Sequence, residues 1–155
     1  MKARSGGKVL QAGAYVPDLE LNTTAGRLRI SSYRGRKLVI YFFPKAFTAG
    51  CTRELQRFVE LYDEFKLSGA EVLGVSVDSV ETLRKFGERY GAKFPLASDT
   101  SREASRAFGV LKEGGKSAMR VTFIVRPDGY IRSVISNLRR AEEHADRALD
   151  EVRAL

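Results

Sequence analysis

The chain has 155 residues, 43% hydrophobic and 30% charged, a balance that excludes fibrous and wholly disordered classes and fits one globular domain spanning residues 1–155. A domain of this size buries roughly 68–70% of its unfolded surface, so it needs no disulfide or metal to hold its core. The net charge of +8 raises nucleic-acid binding, but the basic clusters Arg34-Gly35-Arg36-Lys37 and Arg139-Arg140 are short and the other charges are scattered, so they read as solvated surface with no specific nucleic-acid partner.

In chain order, residues 1–12 are polar and read as a loose N-terminal segment. Val16-Pro17-Asp18-Leu19 is a loop, and a weak hairpin is expected around Thr24-Ala25-Gly26. Leu38–Phe43 is apolar without alternation, which predicts a central strand covered on both faces. From Thr52 the period changes: Leu55, Phe58, Val59, Tyr62 and Phe65 form one helical stripe that Ser68-Gly69 ends. Glu71–Val77 is a second strand. Ser79 caps a helix carrying Val80, Leu83, Phe86 and Tyr90, closed by Gly91. Phe94–Ala97 is a short extended piece, and Asp99 or Thr100 caps a short helix that stops at Gly109. Val121–Val125 is a strand, Arg126-Pro127-Asp128-Gly129 a turn, and Tyr130–Ile135 a strand returning antiparallel. Leu138–Val152 closes the chain as a helix with Ala141, Ala145, Leu149 and Val152 inward. This order predicts an α/β fold, a thioredoxin-like three-layer α/β sandwich with a central mixed sheet.

Cys51 is the only cysteine. It lies between the apolar strand and the helix, at the carboxyl end of a strand where ligands of open α/β sheets bind. A helix N-terminus there favours a thiolate, and the Thr48 hydroxyl, three residues earlier, is within reach of the sulfur or of a bound oxygen. Pro44 stiffens the approach and offers no N–H. An ordinary thiol near pKa 8.5 is only about 3% ionised at pH 7. Bringing it to about 6 takes roughly 3.4 kcal/mol. A helix terminus supplies about 0.3–1 kcal/mol, up to about 2 when partly buried, so a cation or several hydrogen bonds must help.

Pro44-x-x-x-Thr48-x-x-Cys51 resembles the active-site signature of peroxiredoxins. The wider Phe42-Phe43-Pro44-Lys45-x-x-Thr48-x-Gly50-Cys51-Thr52-x-Glu54 resembles the bacterioferritin-comigratory, or Q-type, subfamily. Gly13-x-x-x-Pro17-Asp18-x-x-Leu21, Leu73–Asp78, Phe94–Asp99 and Arg120-x-Thr122-Phe123-Ile124-Val125-x-x-Asp128-Gly129 extend the match over residues 13–137. The resemblance implies a thiol-dependent peroxidase acting on hydrogen peroxide and alkyl hydroperoxides. It makes Cys51 the nucleophile, Arg120 the cation beside thiolate and peroxide, Thr48 the hydroxyl that orients peroxide, and Pro44 the shield of the pocket. Glu54 stands at a position that the resemblance also assigns to the site, and is equally well an N-terminal helix acid.

Two departures stand out. Ala49 replaces a common proline, and Gln56 occupies the position where many Q-type members carry a resolving cysteine. The expected cycle is therefore a one-cysteine one, with a Cys51 sulfenic acid recycled by an external thiol (thioredoxin, glutaredoxin or a small thiol) and no cofactor or metal. The alternative is a thioredoxin-fold redox sensor or relay that forms mixed disulfides with a partner protein. His144, the only histidine, is expected on a solvated helix face among Glu142, Glu143 and Asp146. The longest apolar run is too short for a bilayer and Met1–Ala14 lacks a signal core, so a cytoplasmic monomer or weak homodimer is expected.

Overall fold

The computed structural model describes residues 8–155. Seven strands form one mixed sheet. They are β1 (Glu20–Thr23), β2 (Gly26–Arg29), β3 (Lys37–Phe42), β4 (Ala70–Ser76), β5 (Leu96–Ser98), β6 (Val121–Val125) and β7 (Ile131–Ile135), in the spatial order β2-β1-β5-β4-β3-β6-β7. The central strands β3, β4 and β5 are parallel, while β6 and β7 add antiparallel on one side and β1 and β2 on the other. The helices are α1 (Ala49–Leu67), α2 (Val80–Tyr90), α3 (Glu103–Ala107) and α4 (Glu143–Arg153).

The apolar run in β3 divides by strand alternation between two cores. Val39, Tyr41 and Phe43 face α1, α2 and α4, where they meet Leu55, Phe58, Phe86 and Leu149. Leu38, Ile40 and Phe42 face the other layer, packing with Ile30, Ala104, Phe108 and Phe123. A strand buried on both sides has no polar face to show, which is why its sequence does not alternate. The three layers of the thioredoxin-like sandwich follow from that division.

Local signals act much as the sequence predicts. The Ser79 hydroxyl accepts the Thr82 N–H, and Gly91 closes α2 at φ 75. Thr23 and Gly26 pair at the β1–β2 hairpin. Several boundaries differ: β4 is Ala70–Ser76 rather than Glu71–Val77, β7 starts at Ile131 rather than Tyr130, and α3 starts at Glu103 after Arg102 rather than directly after Asp99 or Thr100. Helix α1 starts at Ala49 rather than Thr52, because Thr48, in extended backbone, already serves as the flanking residue. Helix α4 starts at Glu143 rather than Leu138, and β5 is Leu96–Ser98 rather than Phe94–Ala97. Of the segment expected to be loose, residues 1–7 lie outside the described residues. Beyond them the Leu10 N–H donates to the Phe108 carbonyl at 3.0 Å. Gly109, at φ 74, lets that segment pass: a Cβ there would lie 1.8 Å from the Lys8 carbonyl oxygen.

Candidate active site

Strand β3 delivers the chain to the site. After Phe42 the Phe43 N–H still bonds to the Val75 carbonyl, and the segment then leaves the sheet at Pro44, which is half-buried. Asp78, two residues after β4, anchors the turn by accepting the Ala46 N–H at 2.8 Å. Phe47 adopts a left-handed φ of 67, a strained conformation for a side chain of this size, and sets its ring 5.0 Å from that of Phe86. The chain then enters α1. The Thr52 N–H to the Thr48 carbonyl, 2.9 Å, is the first intrahelical bond, so the N–H groups of Ala49, Gly50 and Cys51 have no helical partner. Cys51 therefore lies in the electropositive first turn. It is a free thiol, 1% exposed.

Strand β6 supplies the cation. The antiparallel register sets Val121 opposite Phe42, so Arg120, the residue before it, stands at the carboxyl end of β3. Its Nη2 lies 3.5 Å from the Cys51 sulfur, across 69 positions of sequence, and its Nη1 donates to Glu54 Oε1 at 2.6 Å. Gly50 makes room for this guanidinium, since a Cβ there would lie 3.2 Å from Nη2. Cys51 and Glu54 are three apart on α1 and so share its inward face.

Glu54 is fully buried, and its second carboxyl oxygen has no hydrogen-bond partner. Burial pushes its carboxyl up to about 8, against the opposing pull of Arg120. Burial thus favours the protonated carboxyl, the form that would leave the charge of Arg120 uncancelled. Burial works against the guanidinium as well, but Glu54 and Cys51 more than offset it and its affinity for the proton rises. Tyr41, on β3, lies in the same field. Its hydroxyl is buried without a partner and burial, helped by Glu54 and Cys51, pushes it well above its ordinary value.

Of the residues singled out from sequence, the fold joins Cys51, Arg120 and Glu54. Glu54 is not the N-terminal helix acid of the alternative reading, since it is buried and lies beyond the first turn of α1. Thr48 and Pro44 flank the start of α1, but the Thr48 hydroxyl donates to the Lys45 carbonyl at 2.7 Å and makes no bond to the sulfur.

His144 is the correction. It is 1% exposed, not on a solvated face, and its Nδ1 lies 2.8 Å from the Thr122 hydroxyl and 4.0 Å from the unpartnered Glu54 oxygen. The acidic neighbours Glu142, Glu143 and Asp146 suggested water, yet Asp146 and Glu142 reach instead to Arg57 and Arg53 of α1 and bring α4 down on it. The spacing held a contrary signal: 144, 148 and 152 form one helical stripe with 145 and 149, and all five are buried. Burial, then Arg120 and Arg147, lowers the imidazole to about 4, so it is neutral at physiological pH.

Residues 12–134 match the model of the AhpC/TSA family. The chain is 39% identical over 153 residues to peroxiredoxin Bcp of Xanthomonas campestris, covering 94% of this chain and 95% of that one. In three dimensions it resembles the peroxidoxin BcpB of Mycobacterium tuberculosis with a TM-score of 0.88 at 34% identity, over 94% of this chain and 98% of that one. It also resembles the bacterioferritin comigratory protein of Xanthomonas campestris, whose structure is described for its alkyl peroxide reduction activity. There the TM-score is 0.83 at 37% identity, over 94% and 96% of the two chains.

Proposed function

This chain belongs to the AhpC/TSA family and is a peroxiredoxin, a thiol-dependent peroxidase, and from that premise we propose how its own residues run the reaction. The Cys51 thiolate attacks the terminal oxygen of a peroxide. The S–O bond forms as the O–O bond breaks, and the leaving hydroxide or alkoxide takes a proton to depart as water or alcohol. Cys51 is then a sulfenic acid, oxidised by two electrons. One external thiol condenses with it, releasing water and forming a mixed disulfide. A second thiol attacks that bond, returns Cys51 to the thiol and leaves as the oxidised disulfide. The single cysteine fits this one-cysteine route. The relay reading is not favoured, since the relatives are named peroxiredoxins.

The observation that carries the residue roles is Arg120 Nη2 at 3.5 Å from the sulfur. The guanidinium stabilises the thiolate and then the charge growing on the departing oxygen. The second effect matters more, because full ionisation gains only about 30-fold over an unperturbed thiol. Thr48 turns its hydroxyl from the Lys45 carbonyl to the bound peroxide, and Pro44 limits water at the mouth. Glu54 holds the far edge of the guanidinium. Hydrogen peroxide and small alkyl hydroperoxides are the substrates. The physiological reductant is a thioredoxin, a glutaredoxin or a small thiol, and the chain works as a monomer or weak homodimer. Among the described residues no helix is long and apolar enough to cross a membrane.

The test is peroxide consumption by the full chain with dithiothreitol as reductant, beside Cys51→Ser. Turnover in the wild type and none above background in the variant is expected. Equal rates would remove Cys51 from the chemistry.

A further inference from the structure

We propose that His144 is a positioning residue of the peroxide step, acting through Glu54 on the Arg120 guanidinium. The inference rests on the peroxidase reading of Cys51 and adds a residue that neither the signature nor helix α1 contains.

The groups form a buried series across three elements. From β6, the Thr122 hydroxyl meets His144 Nδ1 at 2.8 Å. From α4, the same Nδ1 lies 4.0 Å from Glu54 Oε2. From α1, the other oxygen of the same carboxyl accepts a hydrogen bond from Arg120 Nη1 at 2.6 Å, and Arg120 Nη2 reaches Cys51. Thr122, Glu54 and His144 are all buried to 3% exposure or less.

The unpartnered Glu54 oxygen gives the series its meaning. A buried polar atom with no hydrogen bond costs about 1–3 kcal/mol, and native structures keep few of them. Both contacts fall on Nδ1, so the carboxyl oxygen would share or displace the Thr122 hydroxyl there: Nδ1 donates to a carboxylate when it carries the ring proton and accepts from a carboxyl O–H when Nε2 carries it. Closing the present gap to hydrogen-bond length takes a movement of about 1 Å. That movement would turn the carboxyl, and the short Glu54–Arg120 bond would carry the turn to the guanidinium. The groups facing this pair are Arg120 just before β6, Arg147 from α4, and Tyr41 and Cys51 beside Glu54. None of them except Arg120 holds a hydrogen bond to Glu54. His144 also lines, with Arg120, Met119, Val121 and Leu138, a cavity of about 380 Å³ to which α1 contributes no residue. Thr48, Pro44 and Cys51 do not line that cavity, so the role assigned to His144 is to position Arg120 and not to touch the peroxide.

One histidine and one cysteine in the whole chain make the test clean. Pre-reduced full-length wild type, His144→Gln, His144→Leu, Glu54→Gln and Cys51→Ser are mixed with hydrogen peroxide in stopped flow. His144→Leu should slow Cys51 oxidation by about tenfold, less than the ~10² that a 1 Å misplacement can cost. His144→Gln, which keeps donor and acceptor, should recover most of the rate. The ring ¹⁵N signals of His144, followed by NMR in wild type, should inflect where Glu54 ionises, and that inflection should vanish in Glu54→Gln. A His144→Leu chain that reacts as fast as an active wild type overturns the inference and leaves the Cys51 reading standing. If His144→Leu fails to fold, the NMR decides: ring titrations identical in wild type and Glu54→Gln overturn it. A wild type no faster than Cys51→Ser defeats the peroxidase reading itself.

Discussion

Asp99 and Glu54 are both buried acids set against the start of a helix, and their surroundings could hardly differ more. Asp99, 2% exposed, accepts the Ala104 N–H at 2.9 Å, the Ser105 N–H at 2.8 Å and the Ser105 hydroxyl at 2.7 Å, so both its oxygens are engaged. Glu54 has one charged donor on one oxygen and nothing bonded to the other. The first arrangement ties α3 to the end of β5 and satisfies backbone groups that the short helix leaves over. The second leaves polar capacity unused beside a nucleophile. A fully bonded buried carboxyl serves the architecture, and a half-bonded one beside a thiol and a guanidinium is a candidate for the chemistry.

Three experiments would break or sharpen this contrast. The largest effect should come from Arg120→Ala, which removes the group that both Glu54 and Cys51 address. The peroxide step should slow by at least ~10², with the circular dichroism spectrum preserved. An unchanged rate constant would leave Glu54 without a functional partner. Next comes Asp99→Ala, which orphans two buried backbone N–H groups and should cost roughly 2 kcal/mol in urea unfolding. Its rate per folded molecule should stay at the wild-type value, and a large loss of activity without loss of stability would erase the distinction between the two acids.

The smallest effect is a slope. The Glu54 carboxyl is raised from 4.5 to about 8 in the folded chain, so the folded state holds the extra proton and stability falls as pH rises across that window. His144 is lowered from 6.5 to about 4, so there the unfolded state holds the extra proton and stability rises with pH until about 6.5. The two oppose each other between about 4.5 and 6.5, and Glu54 acts alone from about 6.5 to 8. Unfolding free energy should therefore decline from pH 6.5 to 8 in the wild type and lose that decline in Glu54→Gln. Equal slopes in the two proteins would mean that Glu54 is already ionised.

Much of the fold was legible because its signals are local. The unbroken apolar run of β3 announced a strand with two covered faces, Ser79 and Gly91 marked both ends of α2, and the stripe Leu55, Phe58, Phe65 marked the buried side of α1. His144 was misread because the charge of its immediate neighbours outweighed the longer helical period. Two of those neighbours, Glu142 and Asp146, reach across to α1, and the ring is buried. The β1–β2 pair was visible only as a hairpin, with nothing local to say that β1 would join the sheet at β5.

The order of residues determined where the thiol would stand, because a strand, a proline-bearing turn and a helix start are each written in a few adjacent positions. The meeting of Cys51, Arg120, Glu54 and His144 was decided by the antiparallel seating of β6 on β3 and by α4 lying across α1. Contacts between residues 66 or 69 positions apart depend on how separate elements pack, and the burial that unsettles Glu54 and His144 exists only once those layers have closed.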